Sequence, residues 1–290
     1  MNSLGIDIGG SSVKLAALRD GDCIWTAQSD SYTRPTLDQL LAAIADGTRE
    51  HRGDFDAVGL CVPGLMDHAR TTVTLAVNMP ALVGVRLREF IGQALDGRAN
   101  WKDLEICNDA IAATTDFTTT HRLPGRVLGL SLGTGVGAAV LDDGVALRVE
   151  GESPGHVGML DVSLDGKPPT GPDGGAGSLE GYIGADALRR TFGQDPAIVL
   201  PKLTMSDPPL AALVRAVRIC HAMFRPSHVV LLGGIGIRLK PHAPAIHAAV
   251  AQRLTSVARP DWTLECGDDD FHAARGAAWI AGKALLESHK

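Results

Sequence analysis

Apolar positions cluster along the chain in short runs separated by glycine turns, and two of these runs resemble each other. Leu4–Leu18 reads LGIDIGGSSVKLAAL. Its apolar run carries one acid, Asp7, then a small-residue turn, Gly9-Gly10-Ser11-Ser12, and resumes at Val13 with Lys14 inserted. Length and β-branched content predict strand, turn, strand. Leu128–Leu141 reads LGLSLGTGVGAAVL. Setting Leu128 on Leu4 places Gly129 on Gly5, Gly133 on Gly9 and Leu141 on Ala17, with Ser131 where Asp7 stood. Either two unrelated glycine-rich hairpins occur, or one unit is used twice; the matching glycine positions favour duplication.

The remaining pattern predicts alternating strands and helices. Strands are expected at 23–27, 55–62, 71–75, 104–107, 229–232 and 262–265. Helices are expected at 37–50, started by Pro35 or Thr36, at 85–95, stopped at Gly97, and at 110–120, 179–192, 210–224, 243–254 and 273–287. Residues 150–180 lack periodicity and read as a long functional or flexible loop rather than a core element. The expectation is an α/β fold with sheets covered by helices.

Composition narrows the function. The chain has 290 residues, enough for one large or two ordinary domains. Net charge is −6 and no basic block occurs, which argues against a nucleic-acid surface. No apolar run approaches the ~20 residues of a membrane span, and no signal core follows the N-terminus. Cys23, Cys61, Cys107, Cys220 and Cys266 are scattered and form no C-x-x-C pair, as expected of a reduced, cytoplasmic chain.

The chemistry concentrates at the turns. Backbone N–H groups of Gly9, Gly10, Ser11 and Ser12 can converge on an anion. An acid beside them, Asp7, suits a metal–phosphate ligand, or a turn acid satisfied by backbone N–H groups. Lys14 adds charge or is simply a solvated strand residue. Asn108-Asp109 sits where a strand ends and a helix begins, so Asp109 is either a fixed carboxylate aimed into a cleft or a helix cap. Gly233-Gly234 follows a buried strand, either admitting a ligand to the backbone or making a tight turn. No G-x-x-x-x-G-K-[ST] loop occurs, and Gly133-Thr134-Gly135-Val136-Gly137 has the wrong spacing for a dinucleotide fingerprint.

GIDIGGSSVK, LSLGTGVGAAV and VVLLGGIG resemble the first phosphate, second phosphate and adenosine motifs of the ROK group of sugar kinases, repressors and related open reading frames. CVPGLMD, VNMPAL and ICNDA resemble the sugar-side segments of its glucokinase-like members. The group lies within the actin-like/hexokinase-like ATPase superfamily, and the resemblance covers nearly the whole chain. It implies a two-lobed actin-like ATPase (ribonuclease H-like) α/β fold with duplicated mixed sheets flanked by helices. The lobes would be residues 1–112, completed by the C-terminal helix at 273–290, and residues 113–272. The repressor branch carries an N-terminal helix-turn-helix, for which this chain has no room.

The resemblance further implies ATP with Mg²⁺ between the lobes and phosphorylation of a hexose, most like glucose at its 6-hydroxyl. Asp109 matches the general base and Asp7 the magnesium ligand, directly or through water. Gly9, Gly10, Ser11, Ser12 and Lys14 would take phosphates, Gly133, Thr134 and Gly135 would clamp them, and Gly233 and Gly234 would meet adenosine. Asn78, Asn108, Asp109, His156 and Glu180 match sugar-contacting positions, with directional hydrogen-bonding side chains. Glu180 is otherwise a first-turn helix acid and His156 a loop histidine.

The chain departs from the family pattern in two places. Ser153 stands where many members have a glutamate three residues before the histidine, with Glu152 one residue further off. Residues 157–179 contain no cysteine, so no structural zinc is expected. The expected partners are a small-molecule sugar and a second copy of the chain, with neither nucleic acid nor membrane. Alternatives are a polyphosphate-dependent kinase, an N-acetyl- or amino-sugar kinase, and a sugar-binding regulator with impaired catalysis.

Overall fold

A computed structural model describes residues 1–51, 53–76, 79–96, 104–149, 155–172 and 174–289. The chain divides into two compact units. The first is Met1–Asp116 together with the C-terminal segment from Phe271; the second is Phe117–Asp270.

The first unit is built on a five-stranded sheet. β1 (Asn2–Ile8), β2 (Val13–Arg19) and β3 (Asp22–Gln28) form an antiparallel meander. β4 (Ala57–Cys61) then lies parallel to β1. A two-stranded ribbon of β5 (Leu65–Met66) and β6 (Val73–Leu75) precedes β7 (Leu104–Cys107), which is parallel to β4. The order is β3-β2-β1-β4-β7.

Alternation decides which face each residue serves. Leu4, Ile6 and Ile8 are buried in a core with Leu40 and Ile44 of α1 (Leu37–Thr48) and Phe90 and Ile91 of α2 (Leu87–Leu95). Thr36 starts α1 through a capping box with Gln39. α2 ends at Asp96, which takes the left-handed conformation at φ 39°. The expected stop at Gly97 lies outside the described residues. The opposite face of the sheet packs on α10 (His272–Ser288), whose inner side is alanine and glycine. These small residues allow backbone-to-backbone approach. A Cβ on Gly5 would lie 1.8 Å from the Ala274 carbonyl oxygen, and one on Gly59 would lie 2.0 Å from that of Ala277. α3 (Asp109–His121) follows β7, and the boundary between the units falls within it. On its first-unit portion Ala112 approaches Gly276 just as closely.

The second unit repeats the sheet. β8 (Arg126–Leu132), β9 (Val136–Asp142) and β10 (Val145–Ala146) form the antiparallel part; β11 (His228–Leu232) and β12 (Thr263–Cys266) add the parallel part. The order β10-β9-β8-β11-β12 matches that of the first unit. One detail corrects the expected alignment. Leu4 pairs with Ala17, whereas Leu128 pairs with Val140, not Leu141. The second turn holds three residues against four in the first, so the returning strand is offset by one.

α4 (Leu179–Ile183), α5 (Ala185–Phe192), α6 (Pro196–Val199) and the long α7 (Pro208–Phe224) precede β11. The helix expected over 179–192 is broken at Gly184, whose ψ of 152° is extended. α8 (Gly233–Gly236) and α9 (Ala243–Ala251) follow β11. The core joins Leu128, Leu130 and Val229 to Leu213 and Val217 of α7. No helix among the described residues is long and apolar enough to cross a membrane.

Candidate functional site

Three parallel strands of the first unit end in one row. Asp7 on β1 is the register partner of Cys61 on β4, and Cys61 is the partner of Cys107 on β7. The two sulfurs lie 3.4 Å apart and both residues are buried. The hydrogen bond with Cys107, then burial, push the Cys61 thiol well above its ordinary pKa, and the charges of Asp7 and Asp109 add to the rise. Both acids therefore act on the same buried thiol. The carboxyl ends of parallel strands are where open α/β sheets place ligands.

Asp109 opens α3, two residues beyond that row. Asn108 caps the helix: its Oδ1 accepts from the N–H of Ala110 at 3.0 Å and of Ile111 at 3.3 Å. Asp109 Oδ1 accepts from Ala110 N–H at 2.8 Å. Burial raises the Asp109 carboxyl above the usual aspartate range, against the lowering effect of the backbone N–H groups. The two side chains share the Ala110 N–H, Asn108 alone takes that of Ile111, and burial leaves Asp109 a carboxylate that binds a proton more readily than an ordinary one.

The first turn, Gly9–Ser12, is closed by a bond from Gly9 N–H to the Ser12 carbonyl at 3.0 Å. A Cβ on Gly9 would meet that same oxygen at 3.1 Å. Tyr32 holds the turn at two points: its hydroxyl donates to the Gly9 carbonyl at 2.7 Å and its N–H to the Ser11 carbonyl at 2.9 Å. Gln28 Nε2 donates to Ser12 Oγ at 3.1 Å, and Ser29 Oγ accepts from Val13 N–H at 3.0 Å. Lys14 stands directly across the β1–β2 ladder from Asp7. Such partners share a face, their Cβ atoms ~5 Å apart, so the Lys14 side chain leaves the sheet on the same face as the acid.

The second turn, Gly133-Thr134-Gly135, joins β8 to β9 and is tied to the start of α4 and α5. Glu180 Oε2 accepts from Val136 N–H at 2.9 Å, and Ala185 N–H donates to the Gly133 carbonyl at 3.0 Å. Glu180 packs so closely that a Cβ on Gly135 or Gly158 would meet its carboxylate at 3.1 Å. Gly158 belongs to the single turn of 3₁₀ helix Val157–Met159, which exposed His156 immediately precedes. The loop segment and Glu180 therefore adjoin the second turn.

Gly233 follows β11 as Gly133 follows β8, on adjacent parallel strands. Its φ is +74°, and a Cβ there would lie 2.6 Å from the Leu132 carbonyl oxygen. No residue with a side chain fits this position. The Arg238 guanidinium donates to the Gly234 carbonyl and holds the next peptide.

Each unit thus gathers its own candidates: Asp7, the first turn, Lys14, Asn108 and Asp109 in the first; the second turn, Glu180, His156 and Gly233-Gly234 in the second. Asn78, Glu152 and Ser153 lie outside the described residues. The sequence reading missed Tyr32, Gln28 and Ser29, which act across a strand from the turn they hold. It also missed the Asp7–Cys61–Cys107 row. Among the described residues, no group of three or more His, Cys, Asp or Glu side chains is arranged to hold a metal ion.

A family model described as the ROK family matches residues 3–284. The chain belongs to the ROK family. Among its curated relatives, an N-acetylmannosamine kinase of Vibrio cholerae serotype O1 is 26% identical, over 82% of this chain and 85% of the relative. An N-acetyl-D-glucosamine kinase of Erwinia tasmaniensis is 28% identical over 95% and 98%. Among solved structures, the ROK hexokinase of Thermus thermophilus superposes with a TM-score of 0.75 at 22% identity, covering 99% of this chain and 100% of its own. A ROK family glucokinase of Streptomyces griseus, in complex with glucose and AMPPNP, gives 0.74 at 21%, covering 98% and 100%. The two-sheet α/β architecture is the actin-like kinase fold that these ROK structures share.

Proposed function

We propose that this sugar kinase of the ROK family transfers the terminal phosphoryl group of ATP to the 6-hydroxyl of a hexose, with glucose as acceptor. The observation that carries the reading is Asp109. Its carboxylate is fixed at a strand end, its pKa is raised by burial, and it shares the Ala110 N–H with Asn108 through Oδ1 alone.

In this reading Asp109 accepts the proton of the sugar hydroxyl as the oxygen bonds to phosphorus. The rest of the rate comes from positioning and charge stabilisation. Gly9, Gly10, Ser11 and Ser12 face the β- and γ-phosphates; the Gly9 N–H stays on the Ser12 carbonyl, so the N–H groups of Gly10, Ser11 and Ser12 receive them, with Lys14 adding positive charge. Gly133, Thr134 and Gly135 clamp the phosphates, and Gly233 and Gly234 let adenosine approach the backbone. Asn78, Asn108, His156 and Glu180 orient the sugar.

The donor set fits Mg²⁺. One mostly buried carboxylate, Asp7, stands at a glycine turn with no cage of further carboxylates among the described residues. Magnesium that travels with phosphates keeps most of its waters and needs only one or two protein carboxylates. Asp7 would hold it, directly or through water, and the ion would supply positive charge at the transferred phosphoryl group.

A second acceptor is favoured by the relatives: two curated proteins similar over most of their length are named for N-acetylmannosamine and N-acetyl-D-glucosamine. Purified protein assayed against glucose, mannose, N-acetylmannosamine and N-acetylglucosamine, each with ATP or polyphosphate, decides between them. The primary reading expects glucose with ATP to give the highest kcat/KM. A preference for either N-acetylated sugar selects the second, and sugar binding without turnover by any donor overturns both.

A further inference from the structure

The second unit carries a cavity that the kinase reading does not use. It lies between the last turns of α7 and the segment after α9 and has a volume of about 710 Å³. Ligand sites commonly fall within ~300–1,000 Å³. The cavity sits at the start of β11, whereas Gly233-Gly234 sits at that strand's other end. Five strand residues separate the two by roughly 17 Å.

The lining is amphiphilic. Arg218, Arg225 and Arg253 line the cavity, and no carboxylate does. Backbone carbonyls orient two of these guanidiniums: Arg218 Nε donates to the Arg253 carbonyl at 3.0 Å, and Arg253 donates to that of Ala249 at 2.8 Å. None of the three makes an ion pair among the described residues. Three uncompensated cations around one hollow run against a chain of net charge −6.

The same hollow is walled by apolar side chains left in water. Met223 is 60% exposed and Val257 76%. His221 lines it too, 2% exposed, and both ring nitrogens lack a hydrogen-bond partner among the described residues. Burial, and secondarily His247, lower its pKa to about 4, so it is neutral at pH 7. The Trp262 ring stands edge-on to it at 4.5 Å. A neutral, aromatic-backed floor under a cationic rim suits a ligand with an apolar body and an acidic head.

We propose that this cavity binds a small amphiphilic anion, its apolar body against Met223 and Val257 and its acidic head among Arg218, Arg225 and Arg253. The probe is 8-anilinonaphthalene-1-sulfonate, titrated by fluorescence into the full chain with a non-hydrolysable ATP analogue and glucose saturating, so that the kinase site is occupied without turnover. Saturable binding of one dye per chain is expected. Arg253→Glu and Val257→Asp, both at exposed positions where folding is not at stake, should each weaken it, the first about tenfold, the worth of one charge-assisted contact. The uncharged dye N-phenyl-1-naphthylamine should bind at least as weakly as the sulfonate binds Arg253→Glu. Absence of saturable sulfonate binding, affinity unmoved by both substitutions, or equal affinity for the uncharged dye overturns the proposal.

Discussion

The Tyr32 hydroxyl donates to the Gly9 carbonyl at 2.7 Å, so a side chain beyond β3 fixes the peptide that opens the first glycine turn. Burial, and then the nearby charge of Asp7, raise the phenol's pKa, so it keeps its proton and donates across the neutral range. Tyr32→Phe removes one hydrogen bond and leaves the ring. It should cost about 1 kcal/mol of stability. If the turn receives phosphates, the KM for ATP should rise several-fold while the sugar KM holds. Steady-state kinetics with each substrate varied in turn measure this, and an unchanged ATP KM would remove Tyr32 from the site.

Asp109→Asn should separate activity from stability. Loss of the base predicts a fall in kcat of about 10²–10⁴-fold, with sugar binding by calorimetry retained. The folded carboxyl binds its proton more tightly than the unfolded one. Its contribution to stability is therefore full below the unfolded pKa of about 4 and is lost as pH rises through the raised folded value. At pH 7 the ionised group is a net cost, so the asparagine variant should melt at a higher temperature than the parent. In the parent, kcat/KM should fall on the acid side at a pH above that of an ordinary aspartate. Near-normal turnover of the variant would refute the assignment of the base.

Glu180 has two tasks in this reading, and two substitutions distinguish them. Gln at position 180 keeps an oxygen for Val136 N–H and removes only the charge; Ala leaves that N–H without its partner. Glu180→Ala should raise the KM for both substrates, because the second turn loosens as the sugar contact goes. Glu180→Gln should raise the sugar KM alone. Equal effects on ATP KM in both variants would dissociate Glu180 from the turn.

The α10 interface should be intolerant of even one methyl group. In Gly59→Ala the new Cβ would fall 2.0 Å from the Ala277 carbonyl oxygen, against helix backbone that cannot swing aside. Overpacking of this kind typically costs about 1–3 kcal/mol, sometimes more. Denaturant unfolding should show the midpoint falling by the corresponding amount, and an unchanged midpoint would mean α10 does not sit as closely as described.

A buried ionic cluster near the chain's re-entry into the first unit offers another stability test. Asp116 Oδ2 lies 2.6 Å from His272 Nδ1 and 3.0 Å from Arg275 Nε, with Asp116 and His272 both buried. Removing Asp116 takes away two short hydrogen bonds to ionisable side chains in a buried setting, each commonly worth ~1.5–3 kcal/mol. Asp116→Ala should therefore unfold at markedly lower denaturant than the parent.

Much of this architecture is legible from periodicity. The paired hairpins, α1 with its Thr36 cap, and the strand-to-helix step at Asn108-Asp109 are local patterns, because neighbouring residues alone set their hydrogen bonds. The helix expected over 179–192 is not: Gly184 interrupts it where the chain must pass close to Glu180 and the second turn, a constraint from residues fifty positions away. The one-residue offset between the two hairpins was equally hidden, since four-residue and three-residue glycine turns look alike until their strands pair.

By itself the sequence determined where the glycine turns and acids fall, and hence which residues could handle phosphate and take a proton. Only the tertiary structure decided that Asp7, Cys61 and Cys107 form one row, that Tyr32 holds Gly9, and that Glu180 braces the second turn. The physical reason is that such partners are set by strand register and helix packing, which depend on burying the whole apolar surface at once and leave no trace in local spacing.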